Sequence, residues 1–271
     1  MSAIEFDGVW YSYRDGGYAL SDVTFSVKAG EAVAIVGHNG SGKTTLLRHL
    51  NGLVKPTRGT VTILGMDTKG ISVSRLSRSV GLVFQNPRNQ LFAQTALEEA
   101  AFGPRNFKLK DPVEAARSAL SEMRLAGHES RSPLSLSGGE QKRLSIAAVL
   151  SWSPRILALD EPTVGQGLHD KMRLLGLIRL WSSRGITVVI ASHDVEFIWR
   201  LNPRVIAMSG GSIVADGPAH DVLSDEEAAR SAGFRPPQLA EIGNALGLRE
   251  IPGDIEEAAD ALTHLMRGVR R

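Results

Sequence analysis

Gly37-His38-Asn39-Gly40-Ser41-Gly42-Lys43-Thr44 fits the spacing G-x-x-x-x-G-K-[ST] of a phosphate-binding loop. Working outward, Ala32-Val33-Ala34-Ile35-Val36 precedes it. That run is short, apolar and partly β-branched, as a buried strand is. Thr44-Thr45-Leu46-Leu47-Arg48-His49-Leu50 follows, has helical character and meets a stop at Asn51-Gly52. Strand, glycine loop and helix together are the context that a phosphate-binding loop requires. Glycines let backbone N–H groups curl round an anion without Cβ clashes. The helix N-terminus adds partial positive charge. Lys43 supplies a mobile full charge for β- and γ-phosphates, and Thr44 a hydroxyl for Mg²⁺.

On the N-terminal side, residues 3–29 alternate apolar and polar positions, as in Ile4 to Val9 and Val23 to Val27. They predict antiparallel strands joined by a turn at Asp15-Gly16-Gly17. On the C-terminal side, Gly59 to Gly65 reads as a strand, and apolar Gly81-Leu82-Val83-Phe84 leads directly to Gln85. From about 86 to 150 the pattern turns helical. Thr95 to Phe102 forms one expected helix, and Pro112 to Leu120, with Asp111 as its cap, another. A third starts near Ser137. Ile156 to Leu159 and Ile186 to Ala191 are then apolar strands with a helical stretch, Lys171 to Trp181, between them. Such a unit implies a parallel sheet covered on both faces. Val205 to Met208 and Ser212 to Ala215 flank Gly210-Gly211 as a hairpin. The last ~45 residues, broken by Pro236-Pro237 and Pro252, suggest two or three short helices.

Bulk numbers narrow the function classes. With 271 residues the chain holds one large domain, or one domain plus an appendage. A net charge of only +2 does not suggest a nucleic-acid binder. No cysteine is present, which removes disulfides and thiolate metal sites. Met1 to Asp7 lacks the basic and apolar regions of a signal peptide. Ile186 to Ala191, among the longest apolar runs, falls far short of the ~18–20 residues of a membrane span. Any membrane role is therefore expected to run through a partner.

Two further segments carry chemistry. Asp160 and Glu161 stand at the carboxyl end of the Ile156 strand, where ligands of parallel sheets bind. Asp160 is placed to hold the Mg²⁺ shell, and Glu161 to orient and deprotonate the attacking water. Leu136-Ser137-Gly138-Gly139-Glu140-Gln141 opens a helix at a serine with two glycines. Such an opening makes either a plain N-cap or a second anion site.

Taken in order, the P-loop, Gln85, LSGGE at Leu136 to Glu140, Leu159-Asp160-Glu161-Pro162-Thr163 and Ser192-His193-Asp194 resemble the ATP-binding-cassette (ABC) ATPases over residues 3 to about 222. Within that family, Val83-Phe84-Gln85-Asn86-Pro87, Gln90-Leu91-Phe92, Phe102-Gly103-Pro104 and Gly233 to Gln238 are similar to the ATPases of energy-coupling-factor (ECF) importers, which take up vitamins or Ni/Co ions. The resemblance implies an α/β fold. Its expected parts are a RecA-like P-loop NTPase sheet, an N-terminal antiparallel β subdomain and a helical subdomain at about 86–150, together residues 1–224. A small C-terminal helical extension, 225–271, would follow.

The family's site residues carry over onto matching positions. Gly37, Asn39, Gly40, Ser41, Gly42, Lys43, Thr44 and Thr45 would bind ATP, with Tyr13 stacked on adenine, although Tyr11 or Trp10 offers the same π-face. Thr44, Gln85 and Asp160 would hold Mg²⁺, and Glu161, His193, Gln85 and Lys43 would act in hydrolysis. Ser137, Gly138, Gly139 and Glu140 would reach the ATP of a second chain across a head-to-tail dimer, homo- or heteromeric. The remaining histidines, His38 and His169 among them, read as surface or packing residues. The chain would sit on the cytoplasmic face of the cell membrane, held by a transmembrane transporter subunit and with no nucleic-acid partner. An ordinary ABC importer or exporter ATPase shares these motifs. Soluble ABC ATPases acting on nucleic acid or ribosomes usually carry two cassettes or a coiled-coil insertion, whereas this chain has a single cassette and no heptad run. One departure stands out. Gly167 occupies the position, a few residues after Glu-Pro-Thr, where the family usually has Asp.

Overall fold

The structure is a computed structural model that describes residues 2–13, 16–246, 259 and 263. The strands are β1 (Ser2–Ser12), β2 (Tyr18–Lys28), β3 (Ala32–Val36), β4 (Arg58–Ile63), β5 (Met66–Asp67), β6 (Val80–Val83), β7 (Ile156–Asp160), β8 (Thr187–Ala191), β9 (Arg204–Ser209) and β10 (Ser212–Pro218). The helices are α1 (Lys43–Leu50), α2 (Val73–Leu76), α3 (Ala96–Asn106), α4 (Pro112–Glu122), α5 (Gly138–Leu150), α6 (Leu168–Ser183), α7 (Val195–Leu201), α8 (Ala219–Ser224), α9 (Glu226–Ala232) and α10 (Gln238–Ala245).

Two sheets form. The antiparallel one runs β2-β1-β4-β5, and the main one runs β10-β9-β3-β8-β7-β6. In the main sheet β9, β3, β8, β7 and β6 are parallel, and β10 closes one edge as the antiparallel arm of the Gly210-Gly211 hairpin. Alternation along each strand sends side chains to two cores. Val33 and Ile35 face a core shared with Leu46, Leu47 and Leu50 of α1 and with Phe6, Phe25 and Val61 of the antiparallel sheet. Their neighbours Ala34 and Val36 face the other core, with Ile178 and Trp181 of α6 and Leu120, Leu144 and Ile146 of the helical segment. Both faces of the sheet are thus covered, as the near-continuous apolar strands require. Each fully buried Leu or Ile contributes about 1.5–3 kcal/mol.

The helices stand where the sequence places them, with two local corrections. Thr95 and Glu98 form a reciprocal capping box on α3, as do Ser137 and Glu140 on α5. Asp111 stands before α4, but its side chain makes no capping bond. Its backbone sits at φ −126° and ψ 74°, whereas Asp194, at φ −81° and ψ 78°, does cap α7 by accepting from the Phe197 N–H. The helix between β7 and β8 is longer than the expected Lys171 to Trp181, starting at Leu168 and ending at Ser183. Asp15 of the expected first turn lies outside the described residues, as does Pro252 with about half of the C-terminal stretch. Within the described part of that stretch, Ala232 and Ala240 join the core on the outer face of the main sheet.

Candidate functional site

The P-loop joins β3 to α1 at the carboxyl end of the sheet. Its tightness needs glycine at two places. Gly42 holds φ +108°, and a Cβ there would lie 2.7 Å from the Ala19 carbonyl; one at Gly37 would lie 2.3 Å from the Met208 carbonyl. Above the loop lies a cleft of about 380 Å³ lined by Tyr13, Asn39, Gly40, Gly42, Lys43, Thr44, Thr45, Gln85 and Glu161. Gly37 and Ser41 lie at or beneath the loop floor, and Ser41 is fully buried. Lys43 folds back over the loop, with Nζ donating to the carbonyls of Gly37 at 2.7 Å and His38 at 3.0 Å. Burial pulls its ammonium below the usual lysine range, while Glu161 and Asp160 oppose that shift.

β7 delivers two carboxylates to this cleft. The Thr44 hydroxyl donates to Asp160 Oδ2 at 3.0 Å, and Asp160 Oδ1 is buried without a partner among the described residues. Burial pushes the Asp160 carboxyl up, and the Thr44 bond works against that shift. Glu161 turns out of β7 with φ +47°, a left-handed conformation costing about 1–2 kcal/mol for a residue with a Cβ. Its N–H donates to the Ala191 carbonyl at 2.8 Å, which helps hold the turn. His193 Nδ1 lies 2.8 Å from Glu161 Oε2, and the His193 N–H donates to the same oxygen at 3.3 Å. The loop after β8 thereby fixes the Glu161 carboxylate.

The aromatic choice is narrowed by strand geometry. Tyr13 is exposed at the cleft, with its Oη 3.2 Å from Thr45 Oγ1. Tyr11 packs edge-on against His49, and Trp10 against Tyr18. His49 is fully buried under α1, where loss of hydration pulls its imidazole down to about 4.

The signature segment lies elsewhere. None of Ser137 to Glu140 lines the P-loop cleft, and Ser137 and Gly138 are exposed. Ser137 Oγ accepts from the Glu140 N–H at 3.3 Å and donates to Glu140 Oε2 at 2.9 Å. The Ser137 N–H donates to that same oxygen at 2.8 Å. These bonds hold the Glu140 carboxyl below its usual range. A second groove, of about 590 Å³, runs between Gln85 to Arg88 and Leu136, Gly138, Gln141 and Val164, so Gln85 borders both openings.

Three contacts are not readable from the motifs. The His193–Glu161 bond joins two motifs that are separate in sequence. The His38 N–H donates to the Ala232 carbonyl at 2.8 Å, bracing the P-loop against the end of α9. Lys142 is buried between α5 and the ends of β6 and β7. Of these only Lys142 carries a sequence signal, a lysine on an otherwise apolar helix face.

A family profile described as ABC transporter matches residues 20–164. The energy-coupling factor transporter ATP-binding protein EcfA of Methanothermobacter thermautotrophicus is 40% identical over 98% of this chain and 88% of its own length. EcfA of Methanocaldococcus jannaschii is 37% identical over 92% of this chain and 91% of its own. Among solved structures, cbiO1 from Clostridium perfringens, part of the ABC transporter complex cbiONQ, superposes with a TM-score of 0.75 at 31% identity, over 91% of this chain and 99% of that one. A dimeric ATP-binding cassette in a post-hydrolysis state with ADP and Pi gives 0.73 at 30% identity, over 80% of this chain and 98% of its own.

Proposed function

The chain belongs to the ABC transporter family of ATP-hydrolysing cassettes, and on that premise we propose that it is the ATPase subunit of an ECF-type importer of a vitamin or of Ni/Co ions. The observation that carries the hydrolytic part is the convergence of Lys43, the Thr44–Asp160 pair and the His193-held Glu161 on one cleft. Similarity over nearly the whole chain to EcfA proteins, and to a cassette of a cbiONQ complex, supports the importer part.

In this reading the P-loop amides and Lys43 bind the phosphates, and Tyr13 stacks on the base. Glu161 takes a proton from the attacking water, with His193 fixing its carboxylate. Asp160, whose Oδ1 is buried and unpaired, and the Thr44 hydroxyl would hold Mg²⁺, with Gln85 beside them. Bound there, the ion would neutralise phosphate charge. The exposed Ser137–Glu140 helix start faces the ATP of a second chain. ATP then joins two anion-binding surfaces, and hydrolysis lets them part. The same proposal includes the division at 224/225 and attachment to the cytoplasmic face of the membrane through a transmembrane subunit. No helix among the described residues is long and apolar enough to cross a membrane.

The test is affinity capture of the chain from detergent-solubilised membranes of cells expressing it at natural levels. A multispanning membrane protein of an importer should be recovered in stoichiometric amount. Recovery of a nucleic-acid or ribosomal complex instead contradicts the reading.

A further inference from the structure

Lys142 is 2% exposed and stands five residues into the helix that Ser137 opens. Its ammonium donates to three main-chain carbonyls: Gln85 at 2.8 Å, Phe84 at 3.1 Å and, as the longest contact, Asp160 at 3.4 Å. A lysine has three N–H donors, and here each has an acceptor. Among the described residues no carboxylate lies within ion-pair range of Nζ. The three carbonyls belong to the ends of two adjacent strands, β6 and β7. Those ends deliver Gln85 and Asp160. The side chain therefore ties the signature helix to both.

We propose that Lys142 is a positioning residue that fixes the signature helix against the Gln85 and Asp160 strand ends, so that the chain's two half-sites keep one geometry when ATP draws two chains together. The proposal rests on the ATPase dimer reading above. Placement on α5 is what makes the tie act on both halves. Ser137 and Glu140 lie within about 8 Å of axial rise from Lys142. Any rotation of the helix that misaims the signature also stretches the bonds to Phe84 and Gln85. Removal of the ammonium leaves those carbonyls without their buried donor. The P-loop is not touched, so binding of nucleotide to a single chain should be left intact.

The test compares Lys142→Met and Lys142→Arg with the unmodified chain, and each again in a Glu161→Gln background. Lys142→Met should lower kcat by ~10–100-fold, the order of loss a small misplacement produces, with KM for ATP changed by less than about threefold. Affinity of the dilute single chain for a fluorescent ATP analogue should be unchanged. With Glu161→Gln present, Lys142→Met should need at least about tenfold more ATP to form a dimer. Lys142→Arg, which keeps a charge and several donors, should recover most of both losses. If Lys142→Met does not fold, Lys142→Gln, which keeps two donors, is read for the same kcat and dimer effects. Normal kcat and normal dimerisation in a folded Lys142→Met chain overturn the proposal. So does a parallel loss of analogue affinity and kcat that Lys142→Arg does not rescue, since that marks a structural role. Absence of an ATP-driven dimer in the Glu161→Gln parent itself would instead break the ATPase dimer reading.

Discussion

The P-loop cleft and the signature helix are both helix N-termini suited to an anion, and they differ in how much of their surroundings the same chain supplies. Around the P-loop, one chain provides the glycine loop, Lys43, the Thr44–Asp160 pair, the His193-held Glu161 and the edge of Tyr13. Around Ser137 it provides an exposed helix start, with the serine bonded to its own Glu140, beside a groove lined by Gln85 to Arg88 and Val164, but none of the lysine, carboxylate or aromatic groups of the first cleft. Strand ends carry the first, so its geometry is set by β-ladder bonds and two cores. The second stands on α5 and faces outward. A site that looks finished on one side and bare on the other is what a composite site between two chains requires.

Four changes break or sharpen that contrast. Glu161→Gln removes the base while keeping the shape, and should cut kcat by ~10³-fold with nucleotide binding retained. Single-turnover hydrolysis measures this, and a loss under tenfold would remove Glu161 from the chemistry. Lys43→Ala should weaken ATP binding by ~100-fold, the loss of a charged hydrogen-bonding partner. Calorimetry on the isolated chain reads it, and unchanged binding would exclude Lys43.

The third probes the dry underside of α1. His49 is neutral in the fold because burial holds it near 4, against about 6.5 in the unfolded chain. Its folded pKa is depressed, so the unfolded chain binds the extra proton first. Stability is full above ~6.5 and is lost as pH falls toward 4. Between pH 7 and pH 5 the loss should be about 2 kcal/mol, seen in denaturant titrations. His49→Leu should flatten that segment of the profile, and an unchanged slope would place the acid sensitivity elsewhere.

The fourth and smallest is Gly167→Asp. Gly167 stands at the N-cap of α6 with φ −72°, and a Cβ there meets nothing within 4 Å. Aspartate fits without strain and caps as well as glycine or better, by a few tenths of a kcal/mol. The ATPase rate should change by about two- to threefold, as a solvent-facing charge would give. A tenfold change would mean that the missing carboxylate limits communication between the half-sites.

Most of the fold was legible because it is local. The P-loop reads from eight residues, and the apolar runs Ile156 to Leu159 and Ile186 to Ala191, with a helical stretch between them, read as strands of a doubly covered sheet. Among the candidate residues, the P-loop and the Asp160-Glu161 pair carry their own local signals, at a helix start and a strand end, whereas Tyr13, Gln85, His193 and Ser137 to Glu140 stand out only through the family resemblance. What was not legible depends on residues far apart in sequence. The order β10-β9-β3-β8-β7-β6 is fixed by packing, not by any segment. The bond from His193 to Glu161 spans 32 residues, and the brace from His38 to Ala232 joins the loop to the far end of the chain. Asp111 teaches the reverse. A good capping residue in the right place need not cap: Asp111 makes no side-chain bond to α4, while Asp194, at a similar ψ, caps α7.

Whether the two half-sites meet in trans is read most directly from the solution mass of the Glu161→Gln chain, by light scattering with and without saturating Mg-ATP. The expected result is a doubled mass with ATP that reverts to monomer when Ser137→Arg is added to the same chain. A monomer at saturating ATP, or a dimer that survives Ser137→Arg, would contradict a site shared between the P-loop of one chain and the signature of another.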